Sequence, residues 1–565
     1  MCRKNTKKCE GKVFYDMPRF FKRKQKKNTD QEEPEKNLSE AKDKADQQDR
    51  KDSSKHIHSA LAENLADITE KTGGSSDVVI RELEIGEKGS VHIAVIYIAG
   101  LVDNQSVNES LIEALISNKS LQKDDTIEQV LEQTVALGSV KPEQTWDGLL
   151  TALMLGNTLI FAEGADRALI ASTEGGERRS IEEPGTQVSF RGPRQGFTES
   201  IQTNVSMIRR YIKNPNVWVE KMKIGTVTHT EIALMYINGI CEDKTIKEVK
   251  QRLKKIDIDS ILESGYIEQL IEDETYTTFP TIYHTERPDI VAGNLLEGRF
   301  AIIVDGTPFV LIAPAVFIQF FQSVEDYYSR FDIATSIRLL RILIFFISLV
   351  APAIYVAATT FHQEMIPTQL LIVIAAQREV VPFPAVIEAL TMEVAFEILR
   401  EAGVRLPRVV GSAVSIVGAL VIGQAAVQAG IVSPAMVIVV AITAIASFAT
   451  PAFAMAISAR LIRFTFIIAA ATFGFYGLIL GIIMMVVHLC SLRSFGVPYM
   501  SPLAPFSFQG LKDTFVRVPW WADKKRPALI GGKNKDREAE HQRPQPDSSR
   551  GMVNKDLKDG GRDDS

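Results

Sequence analysis

Residues 377–403 read QREVVPFPAVIEALTMEVAFEILREAG and carry Arg378, Glu379, Glu388, Glu393, Glu397, Arg400 and Glu401 between strongly apolar runs. A charge at the centre of a bilayer costs about 3 kcal/mol on insertion scales. Such residues therefore either avoid the hydrocarbon or face protein or water for a purpose. In an assembly of several copies, rings of carboxylate would line a path for cations. The candidate ion path or gate is Arg378, Glu379, Pro382, Pro384, Glu388, Glu393 and Glu397. Pro382 and Pro384 interrupt any helix that reaches them, because each lacks an N–H and clashes with the preceding turn.

The segment after the break, AVIEALTMEVAFEILREAG, reads as an amphipathic helix. At 100° per residue Glu393, Glu397 and Glu401 share one face with Arg400 on its flank, while Glu388 lies apart, in the apolar arc. Three placements stay open. The helix lies in the headgroup layer with its carboxylates in water, or 365–403 is a broken re-entrant segment shielded by protein, or the helix crosses fully with its glutamates towards a lumen.

Four apolar runs are long enough to span about 30 Å of hydrocarbon: 341–361, 409–431, 434–457 and 461–489. Pro352 and Pro451 should kink the first and third. Gly474, Gly477 and Gly481 form a small-residue row in the fourth, suited to close helix packing. Arg338 and Arg341 at the start of the first run fit a cytoplasmic origin. The stretch FVLIAPAVFIQFF (309–321) is too short to span and reads as a buried strand or interfacial segment. Charge bias favours one crossing by 365–403, with the C-terminal tail outside. The length and charge of that tail favour a return to the original side.

Upstream of the apolar runs the 565-residue chain repeats itself. HIAVIYIAGLVDNQSVNESL (92–111) aligns without gaps to EIALMYINGICEDKTIKEVK (231–250), and LIFAEGADRALIAS (159–172) to AIIVDGTPFVLIAP (301–314). Each copy reads as strand, helices, then a hairpin with an acidic-Gly turn. Helices are expected near 58–71 and over SLIEALISNK, TIEQVLEQTVAL, IKEVKQRLKKI and SILESGYIEQLIED. The organisation is a charged disordered arm (1–75), two similar α+β subdomains (76–190 and 191–335, the second including the joint), a polytopic helical membrane domain (336–495) and a polar tail (496–565). In the arm, MPRFFKRKQKK (17–27) suits an anionic membrane surface, and the mixed-charge stretch after it is too poor in apolar residues to fold.

No Walker loop, GxSxG elbow, zinc spacing or Ser/His/Asp arrangement is present, which argues against an enzyme. Cys2, Cys9, Cys241 and Cys490 are scattered, and neither a metal nor a disulfide framework is expected. No cofactor and no nucleic-acid partner are expected. No apolar h-region follows the N-terminus, so the α+β region is expected in the cytoplasm. His362 and His488 are expected near the membrane interface. RGPRQGF (191–197) lacks phosphate-loop spacing: Gly192 and Gly196 should shape a turn, with Arg194 paired to an acid, or the segment serves as a hinge or oligomer contact. DGTP (305–308) reads as a hairpin turn. EDYY (325–328) precedes the membrane and suits an interfacial belt or a subunit contact. Candidate coupling or assembly residues are thus Gly192, Arg194, Gly196, Asp305, Gly306, Asp326, Tyr327 and Tyr328.

Several long stretches resemble the A subunits of GerA-type spore germinant receptors. They are GPRQGFTESIQTNVSMIRRYI (192–212), EGRFAIIVDGTPFVLIAPAVF (297–317) running into EDYYSRF, and the block 377–434. The resemblance covers about 80–510 and implies a non-enzymatic subunit in the inner membrane of the spore. It implies partners too: a transporter-like B subunit, a lipoprotein C subunit and further copies of the A subunit. It implies a nutrient response that releases monovalent cations and then dipicolinate, with the A subunit supplying the ion path. An accessory germination channel of the SpoVAF type is the alternative within the family. A secondary transporter fits less well, since the apolar region shows no inverted repeat.

Overall fold

The computed structural model describes residues 56–537 apart from 86–90, 118–138, 177–182, 186, 188, 407–420, 509, 528 and 533, together with 544. The basic stretch 17–27, the TIEQVLEQTVAL helix and most of run 409–431 lie outside the described residues. Contacts divide the described chain into a small unit, in which His56 bridges to Thr145, and a main body holding Ile57–Gln144 and everything from Gly148 onward.

An α+β domain opens the chain. Helix α1 (Leu61–Lys71) is followed by strands β1 (Val78–Ile85) and β2 (Val91–Ile98), then a π-helical turn leading into α2 (Glu113–Ser117). Strand β3 (Val140–Glu143), helix α3 (Trp146–Met154), β4 (Thr158–Ala162) and β5 (Ala168–Ala171) complete the first repeat. The second runs α4 (Ile201–Tyr211), β6 (Val217–Ile224), β7 (Thr230–Ile237), α5 (Asp243–Lys255), α6 (Ser264–Ile271), β8 (Tyr283–Thr285), α7 (Pro288–Leu296), β9 (Phe300–Val304) and β10 (Val310–Ala313). FVLIAPAVFIQFF thus begins as a buried strand and continues as a 3-10 turn, Phe317–Phe321.

Both sheets are antiparallel with equivalent strand orders, β1-β2-β4-β5-β3 and β6-β7-β9-β10-β8. The duplication extends to register. Ile93 faces Ala162 as Ile232 faces Val304, and Ile160 faces Leu169 as Ile302 faces Leu311. It extends to backbone conformation as well: Gly100 and Gly239 end the matched strands at φ 85° and 80°, and Gly164 and Gly306 turn the matched hairpins at 83° and 89°. Central strands β2 and β7 are buried along most of their length, which explains their unbroken apolar runs. Strands β1 and β6 were not expected from the sequence. They lie at the sheet edges and carry Arg81, Glu82 and Glu84, or Glu220, Lys221 and Lys223, the charges that keep an edge from pairing with another chain.

One half-buried acid sets a pH dependence. Burial, then Glu272 and Glu263, pushes the Glu268 carboxyl on α6 up to about 7. Its folded pKa lies above its unfolded value, so its contribution to stability is greatest below the unfolded pKa and is lost as pH rises towards 7. Glu268→Gln should therefore stabilise the fold at pH 8 by about 1 kcal/mol, once solvent screening is allowed for, and give no gain at pH 4. Thermal unfolding at the two pH values checks this.

Helices dominate the rest. They are α8 (Glu325–Tyr328), α9 (Phe331–Thr360), α10 (Thr368–Glu379), α11 (Ala385–Arg405), a helical stretch at 421–428, α12 (Pro434–Phe448) and α13 (Phe453–Ser491). Among the described residues, α9 and α13 are long and apolar enough to cross a membrane. Pro352 sits inside α9. The run 434–457 is not one kinked helix. It stops at Phe448, and Pro451 separates α12 from α13, because proline cannot donate to the turn before it.

Nor is 461–489 one span. Gly474 adopts φ 60°, ψ −142°, a conformation open to glycine, and α13 doubles back there. Ser458 and His488, near the two ends, both reach the same segment: Ser458 Oγ donates to the Thr278 carbonyl, and His488 Nε2 lies 3.0 Å from Thr277 Oγ1. The limbs 453–473 and 475–491 are about 32 and 26 Å long at 1.5 Å per residue. Gly477 and Gly481 do permit close packing, but against the other limb. A Cβ on them would come 2.2 Å from the Ala469 carbonyl and 2.9 Å from the Phe466 ring. Gly474 meets Phe361 and His362 at the far end of α9. Phe345, Leu349, Ala353 and Val356 of α9 share a buried core with Phe466, Ile467, Ala470 and Leu478 of the hairpin.

Candidate functional site

Two clusters of charge stand out, one where the α+β domain joins α9, the other within the helical region. At the junction, α8 presents the EDYY residues. Asp326 is buried and accepts from Arg338 Nε at 3.1 Å, and from Arg341 Nη1 and Nη2 at 3.2 Å each. Arg338 also meets Asp513 of the C-terminal segment at 3.1 Å. Tyr327 donates its hydroxyl to the same Asp513 at 2.7 Å, and burial, then that carboxylate, holds the phenol well above its usual pKa. Tyr328 donates to Asp289 Oδ2 at 2.8 Å and is likewise raised, by burial first and Asp289 next. These tyrosines therefore work as fixed donors, not as titrating groups.

The joint loop locks onto the same place. Gly192 has φ 126°, and a Cβ there would lie 2.5 Å from the Tyr328 ring. Buried Arg287 holds the loop through the carbonyls of Gln187 (3.2 Å) and Pro193 (3.0 Å) while paired to Asp289 at 2.7 Å. The Phe190 amide donates to Glu325 at 2.6 Å. Of the candidate coupling residues, Gly192, Asp326, Tyr327 and Tyr328 thus meet in one network. Arg194 points outward and pairs with Glu183 at 3.3 Å, the acid partner expected for it. Gly196 is buried beside Phe197. Asp305 and Gly306 serve a different place. Asp305 Oδ1 accepts from the Ile201 amide at 3.1 Å and the Gly306 amide donates to Glu199, tying the β9–β10 hairpin to the start of α4. The C-terminal segment returns to this same domain: Gly531 bridges Cys241 and the Gly532 amide donates to Ile240.

Helix α4 carries a residue that the sequence did not single out. Arg209 is 1 % exposed and grips Asp77 of the first repeat through Nε (2.8 Å) and Nη2 (2.9 Å), with Nη2 also reaching Ser75 at 3.0 Å. Beside it the ring of Trp218 fills the space over Gly73, where a Cβ would come 2.0 Å from the indole. This lock joins the two repeats.

In the helical region, α11 carries a ladder of ion pairs. Glu388 accepts from the Ser433 amide at the start of α12 (3.0 Å) and lies 3.4 Å from Arg378 of α10. Glu393 pairs with Arg463 of α13 at 2.7 Å. Glu397 is shared by Arg460 of α13 (3.2 Å) and its neighbour Arg400 (3.3 Å). Glu388 and Glu393 are each 1 % exposed, so in this conformation neither carboxylate stands in water. Val380–Pro384 form the break between α10 and α11, and Glu379, Pro382 and Pro384 are exposed there, outside the ladder. The arginines that complete the ladder, in the RLIR segment 460–463, read in the sequence as a topogenic cluster only.

Comparison with known proteins gives one family. The model for the Bacillus/Clostridium GerA spore germination protein matches residues 66–529. The chain is 78 % identical over 504 residues to spore germination protein KA of Bacillus subtilis, covering 89 % of this chain and 93 % of that one. It is 39 % identical to spore germination protein GerLA of Bacillus cereus, covering 84 % and 96 %. A solved structure, the N-terminal domain of the A subunit of the Bacillus megaterium germinant receptor GerK3, matches at 50 % identity with a TM-score of 0.38, covering 47 % of this chain and all of that one. The chain belongs to the GerA family of spore germination proteins, as a GerA-type germinant receptor A subunit.

Proposed function

We propose that this chain is a non-enzymatic receptor subunit that crosses the spore membrane several times, with its α+β domain in the cytoplasm. It assembles with further copies of itself and with a transporter-like B and a lipoprotein C subunit, and gates a path for monovalent cations when a nutrient is sensed. The observation that carries the reading is the ladder on α11: three glutamates at the level of apolar helices, each held by arginines from α10, α11 or α13. Buried pairs of this kind cost desolvation and are weak devices for stability alone. Intramembrane ionisable groups are by default functional. Here each carboxylate faces an arginine, while Glu388, Glu393 and Glu397 each keep one buried oxygen without a hydrogen bond among the described residues, and we read this conformation as a closed one. Opening the pairs would release carboxylates to cations. The exposed apolar side chains of α9, α12 and α13, such as Leu343, Ile445 and Ile483, supply the surface that lipid or neighbouring copies cover.

The test is the Glu393→Gln/Glu397→Gln double variant, expressed at the normal level in spores. Cation release after nutrient addition should change while nutrient binding by the receptor persists. Unaltered release would remove these residues from the path.

A further inference from the structure

The junction encloses a cavity of about 430 Å³ that the ion-pair network does not account for. Helix α7, the 3-10 turn after β10 and the C-terminal segment form its walls, and Tyr327 and Tyr328 of α8 contribute their rings. Its size falls within the range of small-molecule sites.

Two buried polar groups on its wall are incompletely used. Arg299 is 5 % exposed, and its Nε has no hydrogen-bond partner among the described residues. Gln319 is also 5 % exposed, and its Oε1 is similarly unpartnered. An unpaired buried donor and acceptor each carry a penalty of about 1–3 kcal/mol, so the wall favours a molecule that meets both. Charge narrows the choice. The cavity is lined by three guanidiniums, Arg299, Arg526 and Arg537, against two carboxylates, Asp289 and Glu297. Asp289 is engaged by Arg287 and Tyr328, and Glu297 by Arg537 at 3.0 Å and Arg299 at 3.4 Å, while Arg537 also pairs with Asp523 and Arg526 meets no carboxylate among the described residues. The surplus is positive. Tyr327, Tyr328 and Trp520 supply flat apolar surface, which suits a ring.

From this we infer that the cavity is a binding site for a small aromatic carboxylate that also carries a hydroxyl or amino donor. The carboxylate faces Arg299, the donor faces Gln319, and the ring lies against the tyrosines and Trp520. Such a ligand would join the C-terminal segment to α7 and to the foot of α9. The inference concerns ligand binding only and does not depend on the gating function.

Gly293 provides the control. It lines the cavity on α7, and a Cβ added there meets nothing within 4 Å. Gly293→Leu should fill the space without a clash and without loss of helix. The full-length chain in detergent is titrated with 4-hydroxybenzoate by equilibrium dialysis. Saturable binding at a single site is expected. It should weaken by at least about tenfold with 4-hydroxybenzamide, which lacks the charge, with benzoate, which lacks the donor, and in Gly293→Leu at an undiminished melting temperature. Trp520→Ala, at a residue 52 % exposed, removes part of the wall and should weaken binding in a folded protein. No saturable binding at millimolar probe, equal binding by the benzamide, or full binding by Gly293→Leu would overturn the assignment.

Discussion

Arg209→Ala should cost about 3–5 kcal/mol of stability, because it leaves the Asp77 carboxylate buried without its countercharge. Arg209 and Asp77 are 1 % and 3 % exposed, so water cannot take over the lost bonds. Ser75 adds to the expected cost. Its hydroxyl accepts from Arg209 and from the Val219 amide and donates to Asp77, so one deletion unsettles the contact between the 73–77 loop and β6. Trp218, packed over Gly73, reports on that contact. Its emission should shift to the red in the variant before the bulk of the chain unfolds. The double variant Asp77→Leu/Arg209→Met should recover much of the loss, since an apolar pair of similar volume often matches a buried ion pair. Arg194→Ala, at an exposed pair, serves as the reference and should cost less than about 0.5 kcal/mol. If Arg209→Ala behaved like Arg194→Ala, the repeats would not be locked through this pair.

How much of this could be read from residues alone depended on range. The repeat was legible because both copies preserve strand, glycine and hairpin in the same order, and the observed register follows the two matched stretches, the first including Ile93 and Ile232 and the second Leu169 and Leu311. Strands β1 and β6 were not, because an edge strand alternates charge with apolar residues over a length that also suits a loop. The wheel placed Glu393 and Glu397 on one face of α11. Their partners Arg463 and Arg460 stand 70 and 63 positions away, a distance no local pattern spans. The same holds for Arg209 and Asp77, 132 positions apart. The α13 hairpin failed for a different reason. A run of apolar residues with three glycines looks like one packed span, and the backbone angle at Gly474 that folds it in two leaves no trace in hydropathy.

Asp326→Ala should have an effect of similar size, with a different signature. Asp326 is the one carboxylate that both Arg338 and Arg341 share, and Arg338 is fully buried. Its removal leaves two guanidiniums at the foot of α9 with Asp513 as the remaining acid contact of Arg338, at a cost of about 3–5 kcal/mol. Arg338 and Tyr327 both hold Asp513, and Thr335 Oγ1 accepts from the Arg517 amide at 3.0 Å, so the C-terminal segment depends on the same anchor. Strain on that anchor should loosen the segment first. Trypsin should then cut at Lys512 and Arg517 faster in the variant than in wild type, while the sheets keep their far-ultraviolet signal. Tyr327→Phe deletes one bond to Asp513 and leaves the guanidiniums paired, so its effect should be about 1 kcal/mol, with slower cleavage than in Asp326→Ala. Asp326→Asn separates charge from shape: it keeps an acceptor for Arg341 but no countercharge, and it should fall between the two. Equal cleavage rates in all three variants would mean that the C-terminal segment is held by its contacts near Cys241 and Ile240 alone, and that α8 does not link it to α9.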